Sequence, residues 1–495
     1  MSTPEAEPFY LTTTLPYVNA VPHMGHALEF VLADIIARYQ ADVLGRDVFF
    51  NTGTDEHGLK IYRRAIEEKK DPQAYVDEYA EIFKKMLAPE GGLNIRYTRF
   101  IRTTDTAHKA AAQAFWKRCE EAGDIYLKAY QTKYCVGCEL EKTDSELVDG
   151  KCPLHPTTVI EFIDEENYFF RWSKYQQPLL DFYKKNPDFV LPSSRLHEIS
   201  KFVEGGLEDF SISRLAKKMP WGIPVPGNEA HVMYVWFDAL VNYISTLGWP
   251  KETEHFDRYW GSAQQRGAIQ VAGKDNLRQQ SAMWQAMLMS ANLPTSKQVL
   301  IHGFVTSQGV KMSKSTGNVV DPKDIIAKYG TDALRYFLAR EIPTFEDGDF
   351  TWERFDEAYH AALVNGLGNL VSRTLKMVTT NHVTLDTSLA PIEEIEAIKP
   401  RYHDAMAQFQ VKMAADGVWE AIAATNLFIE KTEPFKNVKI NPEAAKQDIA
   451  QILVCVMTIA EMVVPFLPET AERIKKAVLN PSPDQVLHLF PRMAK

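Results

Sequence analysis

Two short motifs, far apart in the chain, carry side chains that suit the binding of an anionic polyphosphate. The first contains His23, Gly25 and His26 and lies between an apolar run and a segment of helical pattern. The second contains Lys311 and Lys314 and follows another apolar run. Imidazole and ammonium groups neutralise phosphate charge, a glycine permits close approach of the backbone, and a helix N-terminus attracts anions. The motifs therefore predict a nucleoside triphosphate site, with the lysine-containing loop closing over the phosphates.

A second group of chemistry-bearing residues consists of Cys135, Cys138, Cys152 and His155. The two pairs are spaced C-x2-C and C-x2-H with thirteen residues between them, which is typical of a tetrahedral Cys3His zinc site. The odd number of cysteines and the histidine argue against a disulfide framework. Because four protein ligands leave no open coordination position, the sequence predicts one structural Zn²⁺. A free-standing zinc ribbon that binds nucleic acid is the alternative, which the surrounding α/β pattern disfavours.

The composition indicates a globular protein of several domains. The chain has 495 residues, of which 45% are hydrophobic and 24% are charged. Its net charge of -10 argues against a surface of basic patches for non-specific nucleic-acid binding, although a specific RNA binder needs only a local basic surface. No apolar run reaches the length of a membrane span, and the polar N-terminus does not have the pattern of a signal peptide. We therefore expect cytoplasmic residence and no membrane partner.

The pattern around the first motif predicts a parallel α/β sheet. A buried strand is predicted over 9–15, a helix over 28–39 with Gly45 at its end, and a second strand over 47–51. The loop after the second strand contains Asp55. Strands joined through a helix in this way pair in parallel, and ligands bind at the carboxyl ends of parallel strands. Both the first motif and Asp55 are expected at that edge of the sheet.

The rest of the chain divides into an insertion, a second α/β segment and a helical region. The segment 110–225 contains the cysteine cluster and several prolines and interrupts the alternation of strands and helices. Further strands are predicted over 232–237, 268–272 and 299–304. A helix is predicted to begin at Asp321 and Pro322, in N-cap and N1 positions. A C-terminal helix bundle is predicted from long amphipathic segments over 363–378, 403–431 and 444–478.

In this order and context, the two motifs resemble the signature motifs of class I aminoacyl-tRNA synthetases, and the residues around them look most like those of methionyl-tRNA synthetases. The resemblance covers nearly the whole chain. It implies an α/β fold with a Rossmann-like parallel-sheet catalytic domain, split by a zinc-knuckle insertion and followed by an all-α helix-bundle anticodon-binding domain. The boundaries expected on this basis are 1–110 and 226–320 for the two halves of the catalytic domain, 111–225 for the insertion, 321–355 for a linking segment and 356–495 for the helical domain.

The resemblance also implies roles for individual residues. The catalytic residues would be His23, His26, Lys311 and Lys314. ATP would be bound by Gly25, His26, Gly273, Asp275 and Lys314, with Asp275 beside the ribose. The amino acid would be bound by Leu15, Tyr17, Asp55, Trp236, Ala239, Tyr243 and Gln280. Asp55 matches the family carboxylate that pairs with the substrate ammonium. An apolar pocket with an aromatic wall suits the thioether of methionine.

Three residues depart from the family pattern. Gln280 replaces a histidine near the thioether, Asn276 replaces a commonly apolar neighbour, and Thr14 replaces a smaller residue. Each change adds a polar group that needs a hydrogen-bond partner. Gln280 and Asn276 keep open the alternative of a class I synthetase for another apolar amino acid, since a pocket discriminates between similar apolar side chains by only about 10–200-fold.

In the helical region, Asn369 and Arg373 match the family helix that reads the CAU anticodon, and their spacing of four places them on one helix face. Phe435 stands where the family usually has a tryptophan, and phenylalanine can also stack on an unpaired base. The resemblance thus implies tRNA(Met) as the RNA partner. It also implies that the zinc knuckle shapes the region that guides the acceptor end of the tRNA.

The activity implied by the resemblance is that of a methionine–tRNA ligase. Methionine and ATP, with Mg²⁺ on the nucleotide, would form methionyl-adenylate and pyrophosphate, and the methionyl group would pass to the 3'-terminal adenosine of tRNA(Met). Positioning and electrostatics carry such phosphoryl chemistry without a protein nucleophile. The end of the chain at Lys495, without a dimerising extension, predicts a monomer, and the lack of a large editing insertion predicts no separate proofreading domain.

Two further alternatives belong to other functional classes. A tRNA-independent nucleotidyltransferase of the same fold is disfavoured by the zinc knuckle and the helical domain. A non-catalytic tRNA-binding paralogue is disfavoured because His23, His26, Lys311 and Lys314 are all retained.

Overall fold

The structure, a computed structural model, describes residues 6–142, 144–311, 320–482 and 487–493. The chain forms two units, which we call the sheet unit and the helical unit. The sheet unit consists of 1–22, 47–85 and 97–301. The helical unit consists of 23–46, 86–96 and 302–495.

The strands of the described residues form one central sheet and three smaller sheets. Their bounds are β1 (Pro8–Thr13), β2 (Asp47–Thr54), β3 (Arg99–Arg102), β4 (Ile125–Cys135), β5 (Leu140–Lys142), β6 (Ile160–Phe170), β7 (Val190–Leu191), β8 (Phe210–Ser211), β9 (Ser213–Leu215), β10 (Pro224–Val225), β11 (Asn228–Met233), β12 (Ala268–Gly273), β13 (Gln298–His302), β14 (Val305–Ser307), β15 (Val310–Lys311) and β16 (Gly348–Phe350).

The helices lie between the strands of the sheet unit and make up most of the helical unit. Their bounds are α1 (Met24–Arg38), α2 (Leu59–Glu67), α3 (Pro72–Leu87), α4 (Thr106–Glu121), α5 (Gln176–Lys185), α6 (Ser193–Glu204), α7 (Val235–Ala239), α8 (Asn242–Ser245), α9 (Thr253–Trp260), α10 (Trp284–Ser290), α11 (Pro322–Tyr329), α12 (Thr331–Tyr336), α13 (Trp352–Ala358), α14 (Asn369–Asn381), α15 (Glu393–Ala407), α16 (Val411–Thr432), α17 (Pro434–Asn437), α18 (Pro442–Val463) and α19 (Pro468–Leu479). Wider π-helical turns occur at Tyr39–Val43, Gln279–Met283, Phe337–Glu341 and Tyr359–Gly368.

The central sheet has the strand order β3-β2-β1-β12-β13-β7. The pairs β1–β2, β2–β3, β1–β12 and β13–β7 are parallel. In the register, Tyr10 of β1 lies opposite Phe49 of β2 and opposite Ala268 of β12. The prediction of a parallel sheet assembled from two distant parts of the sequence is therefore confirmed.

One predicted strand is wrong in its second half. The sequence predicts a single strand over 232–237, but β11 ends at Met233 and the helix α7 begins at Val235. The segment is rich in aromatic residues, among them Tyr234, Trp236 and Phe237. An apolar run this short shows no periodicity that would distinguish a strand from a buried helical turn. The strand part, β11, also lies outside the central sheet, because it pairs antiparallel with β9 and β10 in a small separate sheet. The other predicted strands correspond to β1, β2, β12 and β13 of the central sheet.

The insertion folds largely on an antiparallel sheet with the order β5-β4-β6-β8. β4 and β6 pair along their whole length, from Ile125 opposite Phe170 to Cys135 opposite Ile160. This long ribbon brings the end of β4, where Cys135 lies, to the cysteine cluster. The edge strand β7 of the central sheet also comes from the insertion.

The predicted C-terminal helices form a bundle in which α14, α15, α16, α18 and α19 pack on one another. α11 begins as expected, because the Asp321 side chain accepts a hydrogen bond from the backbone N–H of Lys323 at 2.9 Å. A buried ion pair joins Asp34 of α1 to Arg335 of α12 at 2.7 Å. Among the described residues, no helix has both the length and the apolar character that a bilayer-spanning helix requires.

Candidate functional site

The first motif forms the N-terminus of α1. His23 is the N-cap residue, and its Nδ1 accepts a hydrogen bond from the backbone N–H of Gly25 at 3.1 Å. The backbone N–H of His23 in turn donates to Nδ1 of His26 at 3.2 Å. The two rings stack with their centroids 3.9 Å apart. This reciprocal arrangement satisfies two backbone donors at the helix start and fixes both imidazoles there.

The hydrogen bonds define the protonation of the two imidazoles. Because both Nδ1 atoms accept, each neutral ring carries its proton on Nε2, where it can donate to an anion. Burial, and then the neighbouring charge of His23, lower the pKa of His26 well below its ordinary value. A side chain on Gly25 would stand 3.0 Å from the His23 ring, so glycine leaves the stacked pair undisturbed.

The second motif begins at a small hairpin of the helical unit. β14 pairs with β15, so that Thr306 lies opposite Lys311. Asp349 of β16 holds the turn by accepting from the Thr306 hydroxyl at 2.7 Å and from the backbone N–H of Gly309 at 2.8 Å. The backbone of Lys311 ends this hairpin, whereas Lys314 lies outside the described residues.

In the sheet unit, Tyr17 and Asp55 meet just beyond the carboxyl ends of β1 and β2. They form an isolated parallel bridge, with the N–H of Asp55 donating to the carbonyl of Pro16 at 2.9 Å and the N–H of Val18 donating to the carbonyl of Asp55 at 3.1 Å. This is the edge at which ligands bind in parallel sheets. The structure therefore brings these two candidate residues together.

The carboxylate of Asp55 is buried without a full set of partners. The residue is 6% exposed, and its Oδ1 has no hydrogen-bond partner among the residues that the structure describes. Burial, and then the charge of Asp238, raise the pKa of Asp55 well above its ordinary value. A buried carboxylate oxygen in this state needs a cationic donor, because an unpaired buried charge is strongly unfavourable.

Asp238 itself is the centre of a buried hydrogen-bond chain. Its Oδ2 lies 2.7 Å from Nδ1 of His57 and its Oδ1 lies 2.8 Å from Nε2 of His108. The chain continues from Nδ1 of His108 to the hydroxyl of Ser245 at 2.9 Å. Burial alone would raise the pKa of Asp238, but the two histidines outweigh burial and lower it. The chain ties the Asp55 loop to α4, α7 and α8.

The other candidate residues for amino-acid binding lie on the loop after β1 and on α7 and α8. Leu15 is half-buried, Ala239 and Tyr243 are buried, and Trp236 is half-buried. The Trp236 indole Nε1 is buried and has no hydrogen-bond partner in the described part of the chain. Tyr243 fixes β1 against α8, because its carbonyl accepts from the Tyr10 hydroxyl at 2.7 Å.

The polar group introduced by Gln280 has a partner. Its side-chain Oε1 accepts from Nε2 of Gln270 at 3.0 Å, and Gln270 in turn accepts from the hydroxyl of Ser296 at 2.6 Å. Gln280 is 1% exposed and lies in the π-helical turn before α10. Thr14 is bound through its backbone N–H to the carbonyl of Val271 at 3.2 Å. The polar amide of Gln280 thus forms part of a buried network.

The candidate ribose contact follows the strand next to β1. Gly273 is the buried last residue of β12, and Asp275 is exposed in the short 3-10 turn Lys274–Asn276. This position is again beyond the carboxyl end of a central strand.

The cysteine cluster has the geometry of a metal site. The ligand atoms of Cys135, Cys138, Cys152 and His155 all lie within 4.8 Å of one another. Sγ of Cys138 lies 3.4 Å from Sγ of Cys152 and 3.1 Å from Nδ1 of His155. Thiolates bound to zinc at about 2.3 Å in a tetrahedron stand about 3.8 Å apart, so the four donors fit one ion. None of the cysteines forms a disulfide.

The candidate anticodon residues lie in the helical bundle. Asn369 is exposed at the start of α14, and Arg373 is half-buried one turn later. Phe435 of α17 is 46% exposed, and Nζ of Lys436 lies 5.8 Å from the centroid of its ring. An aromatic face with an adjacent ammonium suits a nucleic-acid base and its phosphate.

Several residues around the site were missed in the sequence. His57, His108 and Asp238 form the buried chain, and Glu139 accepts from the Tyr17 hydroxyl at 3.0 Å. Except for His108, each of these residues lies close in sequence to a candidate residue. Contacts between residues more than a hundred positions apart leave no local pattern in the sequence.

Comparison with known proteins gives a consistent result. The family model described as "tRNA synthetases class I (M)" matches residues 9–159 and 154–375, and the model described as "Anticodon binding domain of methionyl tRNA ligase" matches residues 381–487. A methionine–tRNA ligase of Thermosynechococcus vestitus is 41% identical over 484 residues, which cover 94% of this chain and 89% of the relative. A methionine–tRNA ligase of Thermotoga maritima is 39% identical, with coverage of 95% and 75%.

The solved structures agree with these relatives. The structure of Mycobacterium tuberculosis methionyl-tRNA synthetase in complex with methionyl-adenylate is 34% identical to this chain. It matches with a TM-score of 0.89 over 98% of this chain and 100% of that chain.

Proposed function

The chain belongs to the methionine–tRNA ligases, a family of class I tRNA synthetases, and from this premise we propose that it activates methionine with ATP and transfers it to tRNA(Met). The observation that carries this proposal is the match, at a TM-score of 0.89 over 98% of the chain, to a synthetase bound to methionyl-adenylate. The matched anticodon domain supports tRNA as the second substrate.

In the first step, a carboxylate oxygen of methionine attacks the α-phosphorus of ATP in line. A new P–O bond forms, the bond from the α-phosphorus to the oxygen that leads to the β-phosphate breaks, and pyrophosphate leaves with the electron pair. Mg²⁺ bound with the nucleotide would neutralise part of the phosphate charge. The protein contributes positioning and electrostatic stabilisation, so no covalent enzyme intermediate is needed.

Asp55 is proposed to bind the ammonium group of methionine. Its buried Oδ1 has no partner within the described residues, and an ammonium supplies both the missing hydrogen bond and the missing positive charge. Tyr17 stands beside Asp55 in the same bridge. The side chain of methionine would then contact the mainly apolar remainder of the set, namely Leu15, Trp236, Ala239, Tyr243 and Gln280.

His23 and His26 are proposed to donate from Nε2 to the phosphates of ATP. Their Nδ1 atoms are engaged at the start of α1, which supports this orientation. A fixed donor lowers the barrier because it need not reorganise as negative charge develops. Gly25 permits close approach of the nucleotide, and Gly273 and Asp275 are proposed to contact the adenosine.

Lys311 and Lys314 are proposed to neutralise the charge that accumulates on the leaving pyrophosphate. The hairpin that precedes them is anchored by Asp349, which gives the motif a fixed starting point. The proposal for Lys314 rests on the sequence motif alone, since this residue is outside the described part of the chain.

In the second step, a ribose hydroxyl of the 3'-terminal adenosine of the tRNA attacks the carbonyl carbon of methionyl-adenylate. The ester bond forms, the hydroxyl proton passes to the departing phosphate oxygen, and AMP leaves with the electrons of the broken C–O bond. Asn369, Arg373 and Phe435 are proposed to bind the anticodon, where Phe435 would stack on a base. The exposure of Asn369 on α14 and of Phe435 on α17 supports this role.

Cys135, Cys138, Cys152 and His155 are proposed to hold one Zn²⁺ with a structural role. The donor set and the mutual distances support this assignment. The monomeric state and the cytoplasmic location stay predictions from the sequence, and light scattering of the purified protein tests the first.

The proposal is tested by charging purified tRNA(Met) with radiolabelled methionine. We expect ester-linked methionine on tRNA(Met) and none on a transcript whose CAU anticodon has been replaced. Charging of tRNA(Met) with another amino acid instead would replace methionine as the substrate. Tight tRNA binding without charging by any amino acid would support a non-catalytic tRNA-binding protein.

A further inference from the structure

The buried carboxylate of Glu139 collects hydrogen bonds from several separate segments of the sheet unit. Its Oε1 accepts from the hydroxyl of Tyr17 at 3.0 Å and from the backbone N–H of Lys60 at 2.8 Å. Its Oε2 accepts from the hydroxyl of Tyr134. Glu139 is 4% exposed and directly follows the metal-site residue Cys138 in the chain. One side chain thus joins the metal cluster, the first turn of α2 and Tyr17.

The backbone of Glu139 is held in an unusual conformation. Its φ of 52° lies in the left-handed region, which a residue with a Cβ rarely adopts and which is sustained only when the surroundings fix it. The carbonyl of Glu139 accepts a hydrogen bond from the hydroxyl of Tyr234. The chain therefore turns sharply after Cys138 and directs the carboxylate toward Tyr17.

The loop that follows Asp55 is shaped to receive the Tyr17 hydroxyl. Gly58 has a φ of 107°, and a Cβ at this position would stand 2.5 Å from the hydroxyl oxygen of Tyr17 and 3.5 Å from Oε1 of Glu139. Only glycine leaves room for the hydrogen bond between them. At its other end, the backbone of Tyr17 is bridged to Asp55.

The metal cluster is tied to the same place by a second contact. Nζ of Lys60 donates to the carbonyl of Gly137 at 3.3 Å. A Cβ on Gly137 would stand 2.4 Å from the ring of His155, so this residue packs directly on a metal-site side chain. The segment 137–139 thus contains the candidate ligand Cys138 and contacts α2 and Tyr17 through the residues on either side of it.

From these contacts we infer that Glu139 is a positioning residue of the amino-acid site, which fixes the Tyr17 hydroxyl and makes that position depend on an intact metal cluster. The inference rests on the proposed function, in which Tyr17 and Asp55 bind methionine. The metal then has a role beyond stabilising the insertion: it holds the turn from which Glu139 reaches Tyr17. Loss of the metal frees the turn, and Tyr17 loses its fixed orientation.

The first test compares Glu139→Gln with a matched control. The amide oxygen can still accept from Lys60 and Tyr17 while the NH2 group faces the Tyr134 hydroxyl, so the bond to Tyr17 loses its charged acceptor and weakens. We expect KM for methionine to rise about fivefold, the difference between a hydrogen bond to a charged acceptor and one to a neutral acceptor. KM for ATP and the bound zinc content should not change. The control, Asp209→Asn, removes a carboxylate that accepts from the Tyr126 hydroxyl at 2.8 Å and is not a candidate site residue.

A double-mutant cycle identifies the path of the effect. If Glu139 acts through the Tyr17 hydroxyl, Glu139→Gln should have no further effect on KM for methionine in a Tyr17→Phe background. An equal effect of Glu139→Gln in both backgrounds would show a general structural role and overturn the inference.

The second test does not require Glu139 to be altered and reads binding rather than turnover. Methionine affinity is measured by equilibrium dialysis with metal-loaded and chelator-treated protein. We expect metal removal to weaken methionine binding by the wild-type chain and to leave the affinity of Tyr17→Phe unchanged. Equal weakening in both proteins, or none in the wild type, contradicts the inference. Failure of metal-loaded wild-type protein to bind methionine would instead overturn the proposed function.

Discussion

Replacement of Asp55 by asparagine tests the proposed amino-acid site most sharply. The substitution keeps the shape of the side chain and removes its charge. In the structure Asp55 is 6% exposed and one of its carboxylate oxygens has no partner within the described residues. The variant should therefore fold, because it relieves an uncompensated buried charge, and it should lose the partner of the substrate ammonium.

The size of the effect follows from the burial of this carboxylate. Truncating one partner of a buried, hydrogen-bonded charge pair costs about 2–5 kcal/mol, which corresponds to roughly 30- to 5,000-fold in kcat/KM. Since burial, and then the charge of Asp238, disfavour the ionised form of Asp55, part of the interaction with the ammonium is used to ionise the carboxylate. We therefore expect a value in the lower part of this range, about 100-fold for methionine.

The assay is methionine-dependent exchange of pyrophosphate into ATP, measured over a range of methionine concentrations. The matched control is Asp47→Asn, which alters a carboxylate at the opposite end of the same strand, where it pairs with Arg258 at 2.8 Å. Asp47 also accepts from the Tyr259 hydroxyl at 2.7 Å, and it lies at the start of β2, away from the candidate site residues, so the control should retain wild-type kcat/KM. A wild-type value of kcat/KM for Asp55→Asn would refute the proposed role.

The pH dependence supplies an independent check. Burial and Asp238 raise the pKa of Asp55 in the ligand-free protein. The ionised carboxylate that binds the ammonium is present above this raised pKa and is lost as the pH falls through it. We expect kcat/KM for methionine to decrease with falling pH in the wild type, and this decrease to be absent in Asp55→Asn. An identical pH profile in both proteins would assign the titration to another group.

Three further predictions concern the helical unit. His26→Ala should lower the rate of ATP–pyrophosphate exchange by about 100-fold, because a fixed phosphate donor is lost. The free energy of unfolding should fall by only about 1 kcal/mol, from loss of the capping box with His23. An unchanged exchange rate would exclude His26 from the ATP site. Arg335→Met should destabilise the protein by about 3–5 kcal/mol in urea unfolding, because it removes a fully buried partner of Asp34 and the donor to the carbonyls of Leu93, Pro465 and Phe466. A neutral effect would contradict the importance of these contacts. Phe435→Ala should raise KM for tRNA(Met) by about 5- to 150-fold, which corresponds to the free energy of stacking one base. The rate of ATP–pyrophosphate exchange should not change. A change in the exchange rate without a change in KM for tRNA(Met) would contradict a role of Phe435 in anticodon binding.

Much of the fold could be predicted because local patterns report local structure. The apolar runs at β1, β2, β12 and β13 end in turn or loop residues, and all four belong to the central sheet. The dipeptide at Asp321 carries both the N-cap acceptor and the fixed φ of proline, which defined the start of α11. The four spaced ligands of the cysteine cluster were sufficient to predict a metal site, and their side chains do lie together.

Other features could not be predicted because they depend on contacts between distant segments. β7 has two residues and joins the sheet only through its pairing with β13. Asp238 is hydrogen-bonded to His57 of the Asp55 loop and to His108 of α4, and no local sequence pattern indicates either contact. The direction of Glu139 depends on a left-handed turn and on three tyrosines from different elements. The roles assigned to the candidate site residues stay predictions until they are tested by substitution.

The most direct measurement of the central claim is amino-acid-dependent ATP–pyrophosphate exchange by the purified, zinc-loaded protein with methionine, leucine, isoleucine, valine and cysteine in parallel. Exchange with methionine in clear preference to the other four is the predicted result, and it would also show that the Gln280 network is compatible with methionine recognition. Exchange driven best by another amino acid, or by none of the five, would contradict the account.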